Sequence, residues 1–104
     1  PTQVQQDPLA APVITKIPVA VTRIGEAVSA LLAPSGYRLA SANTASPDRA
    51  TLLALPLPEV HRDLSGLSLR SALQTLVGPA FILVEDPVHR LVSFERCKHF
   101  GGGR

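Results

Sequence analysis

The stretch SLRSALQTLVGPAFILVE, residues 68–85, decides the fold. Leu69, Ala72, Leu73, Leu76 and Val77 recur at i, i+3, i+4, i+7 and i+8, which puts one apolar stripe on a helix of 3.6 residues per turn. Ser68 stands where an N-cap belongs, and Gly78 where the residue that ends a helix in a left-handed conformation belongs. Past Pro79 the period shortens to two. Residues 80–85 predict a strand with Phe81 and Leu83 on one face.

The same pattern lies upstream in TRIGEAVSALLAPSGYRLAS, residues 22–41. Thr22 is placed to cap a helix striped by Ile24, Ala27, Val28, Leu31 and Leu32, with Glu26 in its first turn favouring the helix dipole. Pro34-Ser35-Gly36 stops it. Tyr37, Leu39 and Ser41 then alternate with Arg38 and Ala40 as a half-buried strand.

Each helix is preceded by a segment that reads as a further strand. Residues 13–19 are rich in β-branched side chains, and Pro12 and Pro18 near their ends suit an edge strand. Residues 59–64 set Val60, Arg62 and Leu64 on the face opposite His61 and Asp63. Between the two units, residues 41–46 read as a loop, and Ser46-Pro47-Asp48 supplies a cap, a first-position proline and an acid for a short helix over residues 47–54, ended by Pro56 and Pro58. After residue 85, Asp86-Pro87-Val88-His89 predicts a turn, and residues 90–95 a closing strand in which Leu91 and Ser93 alternate with Val92 and Phe94.

The expected fold class is therefore α+β: two strand-helix-strand units, residues 13–41 and 59–85, packed around a shared core in the order βαβ-βαββ, with the extra short helix near residues 47–54. A chain of 104 residues has room for one core. Residues 1–12, PTQVQQDPLAAP, are expected to be an extended lead-in, residues 13–96 the single domain, and residues 97–104 a flexible tail. The chain has no Met and starts at Pro1, which suggests an excised or mature piece of a longer protein, with any export signal upstream.

Composition excludes several functions. The ten basic and eight acidic residues are interspersed, so the charge of +2 forms no stripe suited to phosphates. Cys97 is the single cysteine, which rules out an internal disulfide. No apolar run approaches the about 18 residues of a membrane span.

Phosphate loops, dinucleotide fingerprints, nucleophile elbows and paired-histidine zinc helices do not occur. Cys97, His99 and His89 amount to three metal-ligand types without a fourth, and a solvated tail around Lys98 is the simpler account. His61 and Asp63 lack a nucleophile to complete a catalytic chain. No catalytic residue, cofactor or metal site is expected. Tyr37 is expected in the core, with Arg38 on the solvent face of its strand. Arg38 and Arg90, beside Tyr37 and His89, have the character of interface anchors. Residues 13–19 and 90–95 are the two candidate sheet edges. Pro18 limits the first, so Arg90, Leu91, Val92, Ser93 and Phe94 form the expected docking strand for a partner added edge to edge, a mode that proline at Val92 should abolish.

IPVAVTRIGEAVSALLAPSGYRLA (residues 17–40) and LLALPLPEVHRDLSGLSLRSALQTLVGPAFILVEDPVHRLVSFE (residues 52–95) resemble the N-terminal domain of the PilL family of type IVb pilus and conjugative-transfer regions of integrating elements. The likeness is most specific at Gly25-Glu26-Ala27, Ser35-Gly36-Tyr37-Arg38-Leu39, residues 52–58, Leu73-Gln74-Thr75-Leu76 and Gly78-Pro79-Ala80. The order of elements is also similar to the signalling-type domain at the N-termini of secretins and TonB-dependent receptors. The resemblance implies a non-enzymatic interaction module in the periplasm or on the periplasmic side of the outer membrane, with a secretin or another pilus component as partner. The alternative is that it implies a DNA- or peptidoglycan-binding domain of the same apparatus.

Overall fold

In the computed structural model, which describes residues 7–14, 16–40 and 47–96, both striped segments are helices. Helix α1 spans Ile24–Leu32 and buries Ile24, Ala27, Val28 and Leu32, while Leu31 packs against the core half-exposed. Its N-cap is Arg23 and not Thr22; the Glu26 carboxylate accepts the N–H groups of Thr22 and Arg23 at 3.0 and 3.3 Å, so the first turn is satisfied from inside the helix. Gly36 ends the following 3-10 turn, Ala33–Ser35, at φ 84°, where a side chain would be strained.

Strand β1 is short, Arg38–Leu39, and is followed after undescribed residues by helix α2, Pro47–Ala54. Helix α3, Leu69–Val77, buries all five residues of its stripe, and the Ser68 hydroxyl accepts the Ser71 N–H as expected of an N-cap. Strands β2, Phe81–Asp86, and β3, Leu91–Arg96, close the chain. The result is a small α+β domain whose three helices pack on one face of a three-stranded mixed sheet of order β1-β3-β2. β1 runs parallel to β3, with Arg38 opposite Leu91 and Leu39 opposite Val92, and β2 runs antiparallel to it. Tyr37, Phe81, Val92 and Phe94 meet the helices in one core.

Gly25 is where α1 and α2 approach. A Cβ there would lie 3.1 Å from the Leu53 carbonyl oxygen and 3.2 Å from the Leu53 Cβ. Arg49, on α2, is buried at 8% exposure, and its Nε donates to the Phe94 carbonyl oxygen at 2.9 Å.

Three expectations need correction. Neither the described residues of 13–19 nor residues 59–64 form a strand. The former run as an irregular segment tied to residues 62–68: the Val13 N–H donates to the Leu67 carbonyl, the Gly66 N–H to the Val13 carbonyl and the Ile17 N–H to the Arg62 carbonyl, beside one isolated antiparallel bridge, Pro12 to Ser68. The latter begin with a 3-10 turn, Glu59–His61. Pro12, Pro18, Pro56 and Pro58 withhold ladder donors, and Gly66 at φ 94° turns the chain, so neither segment sustains a ladder.

The third correction concerns the start of the fold. Residues 7–12 are not a lead-in, because Leu9 is fully buried and the Asp7 carboxylate meets the Arg70 Nη2 at 2.9 Å. Leu9, from a 3-10 turn over Pro8–Ala10, and Val13 and Ile17, from the irregular segment after it, enter the core from one strap. The cap assigned to Ser46, and Ser41, lie outside the described residues.

Candidate functional site

The expected docking strand is not an edge. β3 lies between β1 and β2, and Val92, at 1% exposure, is paired on both sides: opposite Leu39 and Glu85, with its carbonyl accepting the Ala40 N–H at 2.8 Å. Arg90, Leu91, Val92, Ser93 and Phe94 therefore cannot accept a further strand along β3. Past the end of β1, where the open side of β3 continues, the Arg49 guanidinium covers the Phe94 carbonyl. Proline at Val92 would break the sheet itself and says nothing about docking.

The longer of the two sheet edges is the outer side of β2, with which no strand pairs among the described residues; the other is the two-residue β1. Alternation places Phe81, Leu83 and Glu85 toward the helices and Ile82 and Val84 on the outer face. That face carries no helix of the described residues. Ile82 faces Glu95, Val84 faces Ser93, and Asp86 faces Leu91 with Arg38 beyond it on β1. Ile82 and Val84 are 50% and 39% exposed, a short aliphatic stripe rimmed by charge. The signal was present in the sequence: Phe81-Ile82-Leu83-Val84 is apolar on both faces of a strand that only one helical layer covers.

Two residues one turn apart on α3 reach across to β2. Arg70 donates to both Glu85 carboxylate oxygens and to both Asp7 oxygens, which bolts the strap, α3 and β2 together and raises the guanidinium's affinity for its proton. Gln74 uses its side-chain amide on the β2 backbone, donating to the Phe81 carbonyl at 2.7 Å and accepting the Leu83 N–H at 3.2 Å. Sequence reasoning missed both, since a polar residue flanking an apolar stripe carries no mark of which strand it meets.

The β2–β3 hairpin tip gathers the remaining candidates. Its turn residues are exposed, Val88 at 84%. His89 Nδ1 lies 2.8 Å from an Asp86 oxygen, and that contact, with the His89 N–H, holds the Asp86 carboxyl below its ordinary pKa. Arg90 takes a left-handed backbone at φ 57° and stacks its guanidinium 5.5 Å from the centre of the Tyr37 ring. Tyr37 is in the core, as expected, and Arg38 is exposed.

His61 and Asp63 do not combine. The Asp63 carboxylate accepts the Ser65 hydroxyl and N–H, which lower its pKa, while His61 Nδ1 is buried without a hydrogen-bond partner among the described residues. No group of three or more His, Cys, Asp or Glu side chains is arranged for a metal ion among the described residues; Cys97, Lys98 and His99 lie outside them. No helix among the described residues is long and apolar enough to cross a membrane. An apolar groove of about 480 Å³ separates the strap at Pro12, Val13 and Ile14 from α1 at Leu31 and the 3-10 turn at Pro34. Its one polar side chain, Ser35, is already engaged with the Leu32 carbonyl and the Tyr37 N–H.

Comparison of the chain with protein-family models, curated proteins and solved structures finds no match in any of the three.

Proposed function

We propose that this domain is a non-catalytic docking module of a type IVb pilus or conjugative-transfer apparatus, working on the periplasmic side of the bacterial envelope against a secretin or another pilus component. The observation that carries the docking part is the sheet open on its outer face, where Ile82 and Val84 stand exposed beside a β2 edge that no strand pairs among the described residues. The pilus part rests on the resemblance of residues 17–40 and 52–95 to the PilL N-terminal domain.

Protein contact is favoured over phosphate or glycan binding by the way cations are engaged. Arg70 is held by Asp7 and Glu85, Arg62 by Glu59, and Arg49 by the Phe94 carbonyl, so these three cations are engaged within the fold and are not presented to a nucleic-acid backbone. Photo-crosslinking from position 82 or 84 of the full-length protein in pilus-producing cells tests the reading. The expected product joins the domain to the secretin or another component of the same apparatus. Products confined to DNA or to sacculi, or none with any pilus component, overturn it.

A further inference from the structure

Phe81 and Leu83 turn their backbone carbonyl and N–H away from β3, and both groups are met by one side chain, the Gln74 amide. A primary amide presents the same donor and acceptor as a peptide unit, so Gln74 occupies on β2 the place of a neighbouring strand. The same nitrogen also donates to the Gly78 carbonyl at 3.1 Å, which steadies it at the helix end. Beside it lies an open concavity of about 440 Å³ lined by Ser71, Thr75, Gly78 and Pro79 along with Gln74. All of these residues belong to α3 and the turn after it, so the helix flank that carries Gln74 is open to solvent.

We propose that the β2 edge is a strand-addition site for a second copy of this chain, and that the Gln74 side chain holds it shut. The choice of a second copy follows from the strand itself. Antiparallel pairing of two β2 strands about Leu83 sets Ile82 of one copy opposite Val84 of the other, twice, and joins two exposed aliphatic stripes into one. Glu85 does not oppose this pairing with a free charge, because Arg70 neutralises it within each copy. The outer face then becomes that of a continuous sheet of six strands, with the helices of both copies on the other side. The proposal rests on the docking reading of this surface and is independent of the pilus assignment.

The test compares the whole chain with its Q74A variant by sedimentation velocity and by amide hydrogen exchange at Leu83. In the native protein the Leu83 amide is protected, and self-association is weak. In dilute Q74A that amide exchanges about tenfold faster, self-association tightens by about tenfold or more, and protection at Leu83 returns as the dimer forms. Adding V84K to Q74A restores the monomer, since two ammonium groups then share the joined stripe.

Q74E is the second variant should Q74A fold poorly. It keeps an acceptor for the Leu83 N–H while facing the Phe81 carbonyl with another oxygen, so it too opens the edge and dimerises. A folded Q74A or Q74E that stays monomeric at millimolar concentration overturns the proposal, whatever other protein it captures, and so does a dimer indifferent to V84K. A dimerising Q74A with no pilus crosslink sinks the apparatus assignment alone. A monomeric Q74A with that crosslink sinks the edge proposal alone.

Discussion

Arg49 and Phe94 meet where the short strand β1 gives out: the guanidinium Nε donates at 2.9 Å to the backbone carbonyl that a longer β1 would have paired. A side chain from α2 thus completes one side of the central strand. It also brings a charged group to 8% exposure, where the other buried side chains among the described residues are apolar.

Replacing that guanidinium strands the carbonyl. Arg49→Met keeps much of the volume and removes the donor, and it should cost about 1–3 kcal/mol, the range for a buried polar group left unsatisfied. Urea unfolding measures it; an unchanged midpoint would show that water replaces the guanidinium without loss.

The strap makes a second prediction. Leu9 is fully buried, so Leu9→Ala should lower stability by about 2–5 kcal/mol, and removal of residues 1–12 should leave the rest poorly folded. Arg70→Met releases Asp7 and Glu85 at a smaller cost of about 1 kcal/mol, because the pair is more than a third exposed on its cationic side. Its clearer readout is faster proteolysis near Leu9. Equal stability of the full chain and the truncated one would return residues 7–12 to the status of a lead-in.

At Gly25 two helices are close enough that a branched side chain has no place. Gly25→Val must push against the Leu53 backbone, and a loss of about 1–3 kcal/mol is expected, as for other overpacked sites. A thermal midpoint equal to that of the native protein would mean that α2 shifts without penalty.

Acid should weaken the fold through three carboxyls. Glu26 titrates below its usual value because the Thr22 and Arg23 N–H groups donate to it, Asp63 because of the Ser65 hydroxyl and N–H, and Asp86 because of the His89 ring and N–H. A native pKa lowered below the unfolded value contributes stability that is present above the unfolded value and is lost as pH falls through the native one. The thermal midpoint should therefore drop between about pH 5 and about pH 2, and Glu26→Gln should reduce part of that drop while lowering the midpoint at neutral pH. A midpoint flat across that range contradicts the assignment.

The parts of the fold that were legible share a physical cause. Helices α1 and α3 declare themselves because an amphipathic helix satisfies its own backbone and writes its buried face into the spacing of Ile24, Ala27, Val28 and Leu32, and of Leu69 to Val77. The turn at residues 86–89 and the alternation on either side likewise predicted the hairpin of β2 and β3. The strand at residues 13–19 was misread because β-branched composition is shared by extended segments whose prolines prevent a ladder, and that at residues 59–64 because so short an alternation also fits a 3-10 turn.

The candidate site was less legible. Ile82 and Val84 are visible as apolar residues in a strand, yet whether they are covered depends on how many layers the chain builds. Arg90 to Phe94 were taken for an edge because they come last, and chain order does not set sheet order.

What the amino-acid sequence determined was local: two striped helices with their stops, one hairpin, and a single core of aliphatic side chains, all fixed by periodicity and turn chemistry within a few residues. Tertiary structure alone decided that β1 slips in parallel beside β3 and makes it central, that Leu9 returns to the core, and that Gln74 lies along β2. Backbone hydrogen bonding between strands is nearly indifferent to side-chain identity, so the partner of each strand follows from how the helices pack and not from the strand's own residues.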